Sequence, residues 1–201
     1  MNTRGLTLME LVVALAITGL IMAAGYGALG SLIDQRARAT EAMDAALRAA
    51  AVRSVLEAWV AGARLSAEES GAVFRGLDGV FDHLPDDDLT FVTTASRPLG
   101  EGEAMVRLYV DRDEDTPERG LVAVFSEPRG TRTVRLEVEP RVAGLELRYV
   151  SHLVRGRRTL PSSISTTVLP AGVELTLVPA RGDSLPALLR RPLVVPLASG
   201  R

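Results

Sequence analysis

The sequence predicts an α+β fold: one long N-terminal helix, its first half in a membrane and its second half packed on an antiparallel β-sheet domain. Three observations carry this expectation. Residues 11–33 contain no charged side chain. Helical spacing of apolar residues then persists as far as Ala61. Beyond Ser66 the pattern changes to short segments rich in β-branched and aromatic residues, punctuated by Gly and Pro.

The apolar run comes first. Its 23 or so residues make a helix of roughly 34 Å, enough for a bilayer core of about 30 Å. Thr18, Tyr26 and Ser31 add slight polarity without forming a stripe, so the segment does not read as a half-buried helix of a soluble core. It is also longer than the apolar region of a secretory signal, which spans roughly 7 to 15 residues. A plain single-span anchor would explain the length but leaves Gly5 and Glu10 as accidents of the flank. Glu10 is the conspicuous residue. A carboxylate costs on the order of 2.5–3.5 kcal/mol at the centre of a membrane helix and less near its end, so its presence calls for a partner or a function.

Past Ile33 the polarity changes while the spacing does not. Ala45, Ala49, Val52, Leu56, Trp59 and Val60 fall at three- and four-residue intervals on one face, and Arg36, Thr40, Asp44, Arg48 and Arg53 lie mainly off it. Asp34 with Arg38 and Asp44 with Arg48 are acid-before-base pairs one turn apart, each stabilising a helix by a few tenths of a kcal/mol. Gly62 is placed to end the helix. Such a stripe requires a covering sheet, and Trp59 is expected in the core beneath it.

Seven strands are expected for that sheet, at residues 89–94, 104–110, 121–125, 133–139, 145–150, 173–178 and 193–197. The Gly and Pro punctuation fits antiparallel connections rather than crossover helices. Residues 71–85 read as a strand, a turn and a short helical turn. Asp86, Asp87 and Asp88 read as a charged turn before the next strand.

Composition removes several chemistries. The chain of 201 residues has a net charge of −2, so nothing global favours nucleic acid. All 23 basic residues are Arg. Without Lys there is no P-loop lysine or Schiff base, and without Cys there is no disulfide, thiolate nucleophile or Cys-ligated zinc. His83 and His152 are the two imidazoles, and no nucleophile elbow or zinc-protease pair accompanies them. Asp111, Asp113 and Asp115 occupy positions 1, 3 and 5 of a calcium-type loop, but Thr116 stands where Gly is needed and Val122 where the closing Glu belongs. The segment is therefore expected to be a solvated hairpin tip without a tight calcium site. No cofactor or metal is expected.

Arg4-Gly5 followed by Leu6-Thr7-Leu8-Met9-Glu10 resembles the leader and cleavage site of type IV pilins and type II secretion pseudopilins. The resemblance implies that a prepilin peptidase cuts between Gly5 and Leu6 on the cytoplasmic face and that Leu6 becomes N-methylated. Leu6 departs mildly from the usual Phe or Met. Glu10 is then the fifth residue of the processed chain, where the family carries a Glu whose implied partner is the α-amino group of a neighbouring subunit. Gly19, Gly25, Gly27 and Gly30 are suited to close helix approach.

Residues 142–178 resemble the closing part of minor pseudopilin J of type II secretion: Arg148-Tyr149 at a strand end, then Leu169-Pro170, then Val173-Glu174-Leu175-Thr176-Leu177. The Trp residues that this family often carries in the intervening loop are absent. The presence of Glu10 argues against the tip subunit K. By resemblance the function is structural, in the initiating or tip complex of a periplasmic pseudopilus used in protein export. The implied partners are minor pseudopilins I and K, with H and the major pseudopilin G nearby, together with the prepilin peptidase. The implied location is the inner membrane, single-pass, with the N-terminus cytoplasmic and the C-terminal domain periplasmic. The expected organisation is a leader at 1–5, a transmembrane helix at 6–33, its periplasmic continuation at 34–63 and a β-rich globular domain at 64–201. A minor pilin of a type IV pilus or DNA-uptake machine shares the same N-terminus. A membrane-anchored enzyme or binding module remains open as well.

Overall fold

The computed structural model describes residues 8–64, 74–95, 100, 102–127, 132–150, 159–160, 164–166 and 169–197. Helix α1 runs over Leu8–Ala61, 54 residues. The chain divides into two compact units, Met1–Ala45 and Ala46–Arg201.

In the first unit every residue from 8 to 44 is exposed, including Leu15, Leu20, Ile21 and Met22. The helix is long and apolar enough to cross a membrane. The two aliphatic hydroxyls of the apolar run are satisfied inside the helix: Thr18 Oγ1 donates to the Ala14 carbonyl and Ser31 Oγ to that of Ala28, each at 2.8 Å. Such back-bonding lets a hydroxyl sit in a medium that offers no hydrogen bonds. A Cβ at Gly19, Gly25, Gly27 or Gly30 would meet nothing within 4 Å among the described residues, so none of them demands glycine there.

In the second unit the helix does bury a face. Ala49, Leu56, Trp59 and Val60 are buried and Val52 packs against the same core, as the spacing of the stripe predicts. Trp59 meets Phe125 edge-to-face, with centroids 4.8 Å apart at 73°, a favoured aromatic geometry. The helix closes with Gly62 N–H donating to the Ala58 carbonyl at 3.1 Å. A Cβ on Gly62 would sit 2.6 Å from Thr93 Oγ1, so glycine here allows the chain to pass directly from helix to sheet.

Thirteen short strands follow among the described residues: β1 Ala63–Arg64, β2 Phe74–Leu77, β3 Val80–Phe81, β4 Leu84–Pro85, β5 Asp88–Thr93, β6 Ala104–Asp111 and β7 Gly120–Ser126, then β8 Thr133–Glu139, β9 Val142–Val150, β10 Thr159–Leu160, β11 Ile164–Thr166, β12 Gly172–Pro179 and β13 Leu193–Pro196. The main sheet has the order β11-β2-β5-β6-β7-β8, with β1 also pairing β5. A second sheet has the order β10-β9-β12-β13, and β3 and β4 form a separate hairpin. All of these strand pairs are antiparallel. All seven expected strands are present, within one to three residues of the expected ends.

Two expectations are corrected. The short helical turn within 71–85 is instead the hairpin β3–β4, whose two turn residues Asp82 and His83 have φ of 46° and 63°. Positive φ at both central positions matches the right-handed twist of the flanking strands, and Asp tolerates it better than most residues. The strands form two sheets rather than one. β9 lies against β6 and β7, so that Leu145, Leu147 and Tyr149 share one core with Leu108, Phe125 and the helix face.

Candidate functional site

Two places deserve consideration as a site: the head of α1, and the acid-rich seam where the second sheet meets the segment before β5. At the first, Gly5 and Leu6 lie outside the described residues, as does His152. Glu10 stands in the first turn of α1, exposed, on the helix face that also carries Val13, Ala14 and Ile17. The aligned peptide dipoles favour a carboxylate at this end. In an apolar medium this carboxylate would attract a cation far more strongly than in water, and desolvation would offset part of that gain.

The calcium-like segment is differently occupied. Asp113, Glu114 and Asp115 are exposed at the tip between β6 and β7, as expected, but Asp111 at the end of β6 is buried. Its carboxylate accepts from Asp113 N–H at 3.0 Å, from the Thr116 hydroxyl at 3.1 Å and from the Arg135 guanidinium. Burial opposes ionisation there, but these donors outweigh it and hold the carboxyl below the usual range. Asp113 Oδ1 in turn accepts from Asp115 N–H at 3.0 Å. The acids are thus engaged with their own backbone and with arginine. Among the described residues, no group of three or more His, Cys, Asp or Glu side chains is arranged to hold a metal ion.

The three aspartates before β5 also depart from expectation. Asp86 pairs with Arg112, and Asp88 with Arg107 at 2.6 Å. Asp87 is buried at 2% exposure. Its N–H donates to the Leu145 carbonyl at 3.0 Å, while its carboxylate accepts from Leu147 N–H at 2.7 Å and Gly79 N–H at 3.1 Å. One residue therefore does the work of a short strand on the part of β9 that β10 does not pair, and a charged turn becomes a seam between sheets. Three adjacent acids carry no periodicity that would separate the buried one from its partly buried neighbours, so no sequence signal marks Asp87.

Residues from the closing resemblance come together on adjacent strands. Arg148 lies opposite Glu174 and Tyr149 opposite Val173 in the β9–β12 ladder. Arg148 is exposed and pairs with Glu146 at 2.7 Å. Leu169, Val173 and Leu175 are buried with Tyr149. The Tyr149 hydroxyl finds no hydrogen-bond partner among the described residues. Burial first, then the negative charge of Asp87, Asp88 and Asp78, pushes its phenol well above the ordinary value. A Cβ on Gly76 would overlap this hydroxyl, which explains a glycine inside strand β2. Arg53, placed off the apolar stripe by its spacing, donates to the carbonyls of Leu188, Arg191 and Pro192 at 3.3, 3.0 and 3.0 Å. It anchors the C-terminal segment to the helix.

Comparison with known proteins is informative at the first place. Residues 1–26 match the prokaryotic N-terminal methylation motif. The match takes in Gly5, Leu6, Glu10 and the apolar run to Tyr26, and it supports a type IV pilin-like protein. It implies processing by a prepilin peptidase and association with a membrane through a single span. No curated protein matches the chain.

Proposed function

We propose that this chain is a minor pseudopilin of type II secretion, of the J type, acting in the initiating or tip complex of the pseudopilus. The observation that carries the reading is the head of α1: Glu10, matched within the methylation motif, leads a helix that is exposed on every side as far as residue 44 and long enough to span a bilayer. Cleavage between Gly5 and Leu6 frees an α-amino group at Leu6, which is then methylated. Glu10 of one subunit pairs with that amino group on its neighbour, and the apolar helix surfaces close around the pair. The N-terminus is cytoplasmic, the span lies in the inner membrane and the β domain is periplasmic.

Two further features favour a tip subunit of this kind. Of the J-like residues, Arg148-Tyr149 lie on β9 and Val173 to Leu177 on the neighbouring β12, while Leu169-Pro170 precede β12. On the helix of the second unit, Leu47, Ala50, Ala51, Ser54 and Ala58 form an exposed face of mostly small residues opposite the buried one, suited to a helix of pseudopilin I or K. The role is structural, without catalysis.

The test has two stages. The mass of the N-terminal peptide from cell membranes is expected to correspond to a chain beginning at a methylated Leu6; an intact leader would remove the pilin-like assembly role altogether. The detergent-solubilised chain is then expected to co-purify with pseudopilins I and K of the same genome. Association with pilin subunits in their place would establish the alternative, a minor pilin of a type IV pilus or DNA-uptake machine. Glu10→Ala is expected to leave cleavage intact while reducing incorporation.

A further inference from the structure

The main sheet ends on one side at β8, and that edge carries an inference independent of the assembly role. Among the described residues β8 has a single neighbour in its sheet, β7. After Glu139 the chain turns away, and β9 joins the second sheet instead of extending the first. Half the backbone N–H and C=O groups of a seven-residue strand therefore point outward, and no backbone hydrogen bond among the described residues takes them up.

The other outer strands are blunted. β10 and β11 have two and three residues, and β13 has four, with Pro192 just before it and Pro196 at its end. Proline removes a donor that strand addition needs. β8 has neither device, since Thr133 to Glu139 contain no Pro and are longer than the other three. Its core side is also incompletely covered. Leu121, Ala123 and Phe125 of β7 are fully buried, whereas Val134, Leu136 and Val138 of β8 are half-buried. A further strand beside β8 would cover them as β8 covers β7.

The order of side chains says which strand fits. Read about Leu136 as centre, β8 is complementary to itself: with two copies antiparallel, Leu136 meets Leu136, Val134 meets Val138 and Arg135 meets Glu137. The apolar pairs share the core side and the two Arg–Glu pairs the opposite side, because successive side chains alternate. Atoms remain for these pairs. Arg135 uses Nε on Glu118 and Nη2 on Asp111, which leaves Nη1, and Glu137 uses Oε2 on the Arg119 N–H, which leaves Oε1. The register is also selected. A slip of one residue sets core-facing against outward-facing side chains, and a slip of two sets Arg135 against Arg135 or Glu137 against Glu137. The irregularity in the β7–β8 ladder comes after Glu137, so the central pairs lie on regular strand.

We propose that β8 is a self-docking edge, at which two copies of this chain pair antiparallel about a two-fold axis through Leu136 and join their main sheets into one. The interface is isologous, the same patch on both subunits. One strand pair is a small contact, so the dimer is reversible and depends on concentration.

Cysteine cross-linking of the full chain in detergent tests this, because the native sequence has no Cys. The thiol of Leu136→Cys meets its symmetry mate across the axis, at a Cα separation of about 4.5–5.5 Å that a disulfide spans. Thr133→Cys is the control. Thr133 is exposed, but it lies opposite Glu139 of the second copy, so its own mate is about 20 Å away along the strand. Mild oxidation is expected to give roughly 10-fold more disulfide-linked dimer with Leu136→Cys than with Thr133→Cys. Adding Glu137→Arg to Leu136→Cys sets Arg against Arg and is expected to reduce the cross-link several-fold. Where circular dichroism shows that Leu136→Cys fails to fold, a mixture of Val134→Cys and Val138→Cys chains replaces it, since these positions face each other across the axis and neither faces itself. Equal cross-linking with Leu136→Cys and Thr133→Cys, no cross-link in the folded Leu136→Cys chain, or a cross-link that Glu137→Arg leaves unchanged overturns the proposal.

Discussion

Within one continuous helix, residues before and after the unit boundary obey opposite burial rules. From residue 8 to residue 44 every side chain is exposed, and these are Leu, Val, Ile, Met and Ala over most of the length. From Ala49 to Val60 four apolar positions are buried while Glu57 stays outside. Helix propensity cannot account for the difference, since both parts are good helix formers. What differs is whether the chain itself provides a cover. The second part finds the main sheet, with Trp59 against Phe125. The first offers an apolar surface all round, which water does not tolerate at this extent and a bilayer or neighbouring helices do.

The comparison can be broken most forcefully at Trp59. Trp59→Ala is expected to lower the stability of the second unit by about 3–5 kcal/mol, from lost transfer energy and the cavity left behind. Denaturant unfolding followed by circular dichroism of the detergent-solubilised chain measures this, and membrane retention should not change. The converse substitution is Ile21→Arg, which should cost about 2.5–3.5 kcal/mol of membrane insertion. Carbonate extraction of membranes would show the chain released, with the unfolding midpoint of the β domain unmoved. If either variant disturbs both properties, the two regions are not independent.

Smaller effects distinguish the polar devices of the second unit. Asp111→Asn weakens a charged hydrogen-bond set and is expected to cost about 1.5 kcal/mol at neutral pH, at the low end of such interactions because solvent screens the half-exposed Arg135. Because the Asp111 carboxyl is depressed, its contribution is present above the ordinary carboxylate range and lost as pH falls through its folded value. Asp111→Asn should therefore flatten the stability curve on the acid side. Asp87, whose carboxyl burial raises from 3.8 to about 6, acts with the opposite sign, its contribution being lost as pH rises through about 6, so the two sites separate in one pH series. Tyr149→Phe is expected to move stability least, by within about 1 kcal/mol and toward greater stability. It removes a buried hydroxyl that has no hydrogen-bond partner among the described residues and keeps the ring against Phe74. A loss above 2 kcal/mol would show that the hydroxyl is satisfied in solution.

Legibility followed pattern length. The strands at 104–110, 121–125 and 133–139 alternate or run apolar for five residues or more, and each appears within a residue or two of its expected bounds. Strands of two or three residues, such as β1, β10 and β11, have no period to detect and arise from pairing with a longer partner. The turn at Asp82-His83 was read as helical because neither residue is Gly or Asn, the usual signals of such a hairpin. At the head of α1 a short local pattern is enough: residues 1–26 match the methylation motif, and the roles proposed for Gly5, Leu6 and Glu10 would be played against other chains.

By itself the sequence determined the α+β class, the apolar span, the buried stripe through Leu56 and Trp59, the long strands and the methylation motif. Each is a local pattern whose physical meaning does not depend on distant residues. Tertiary structure alone decided that the strands divide into two sheets, that Arg53 reaches the carbonyls near Pro192, and which of three consecutive aspartates is buried. Those outcomes depend on pairings far apart in the chain. Asp87 is set apart from Asp86 and Asp88 by the edge of β9, about sixty positions away, whose N–H at Leu147 its carboxylate accepts.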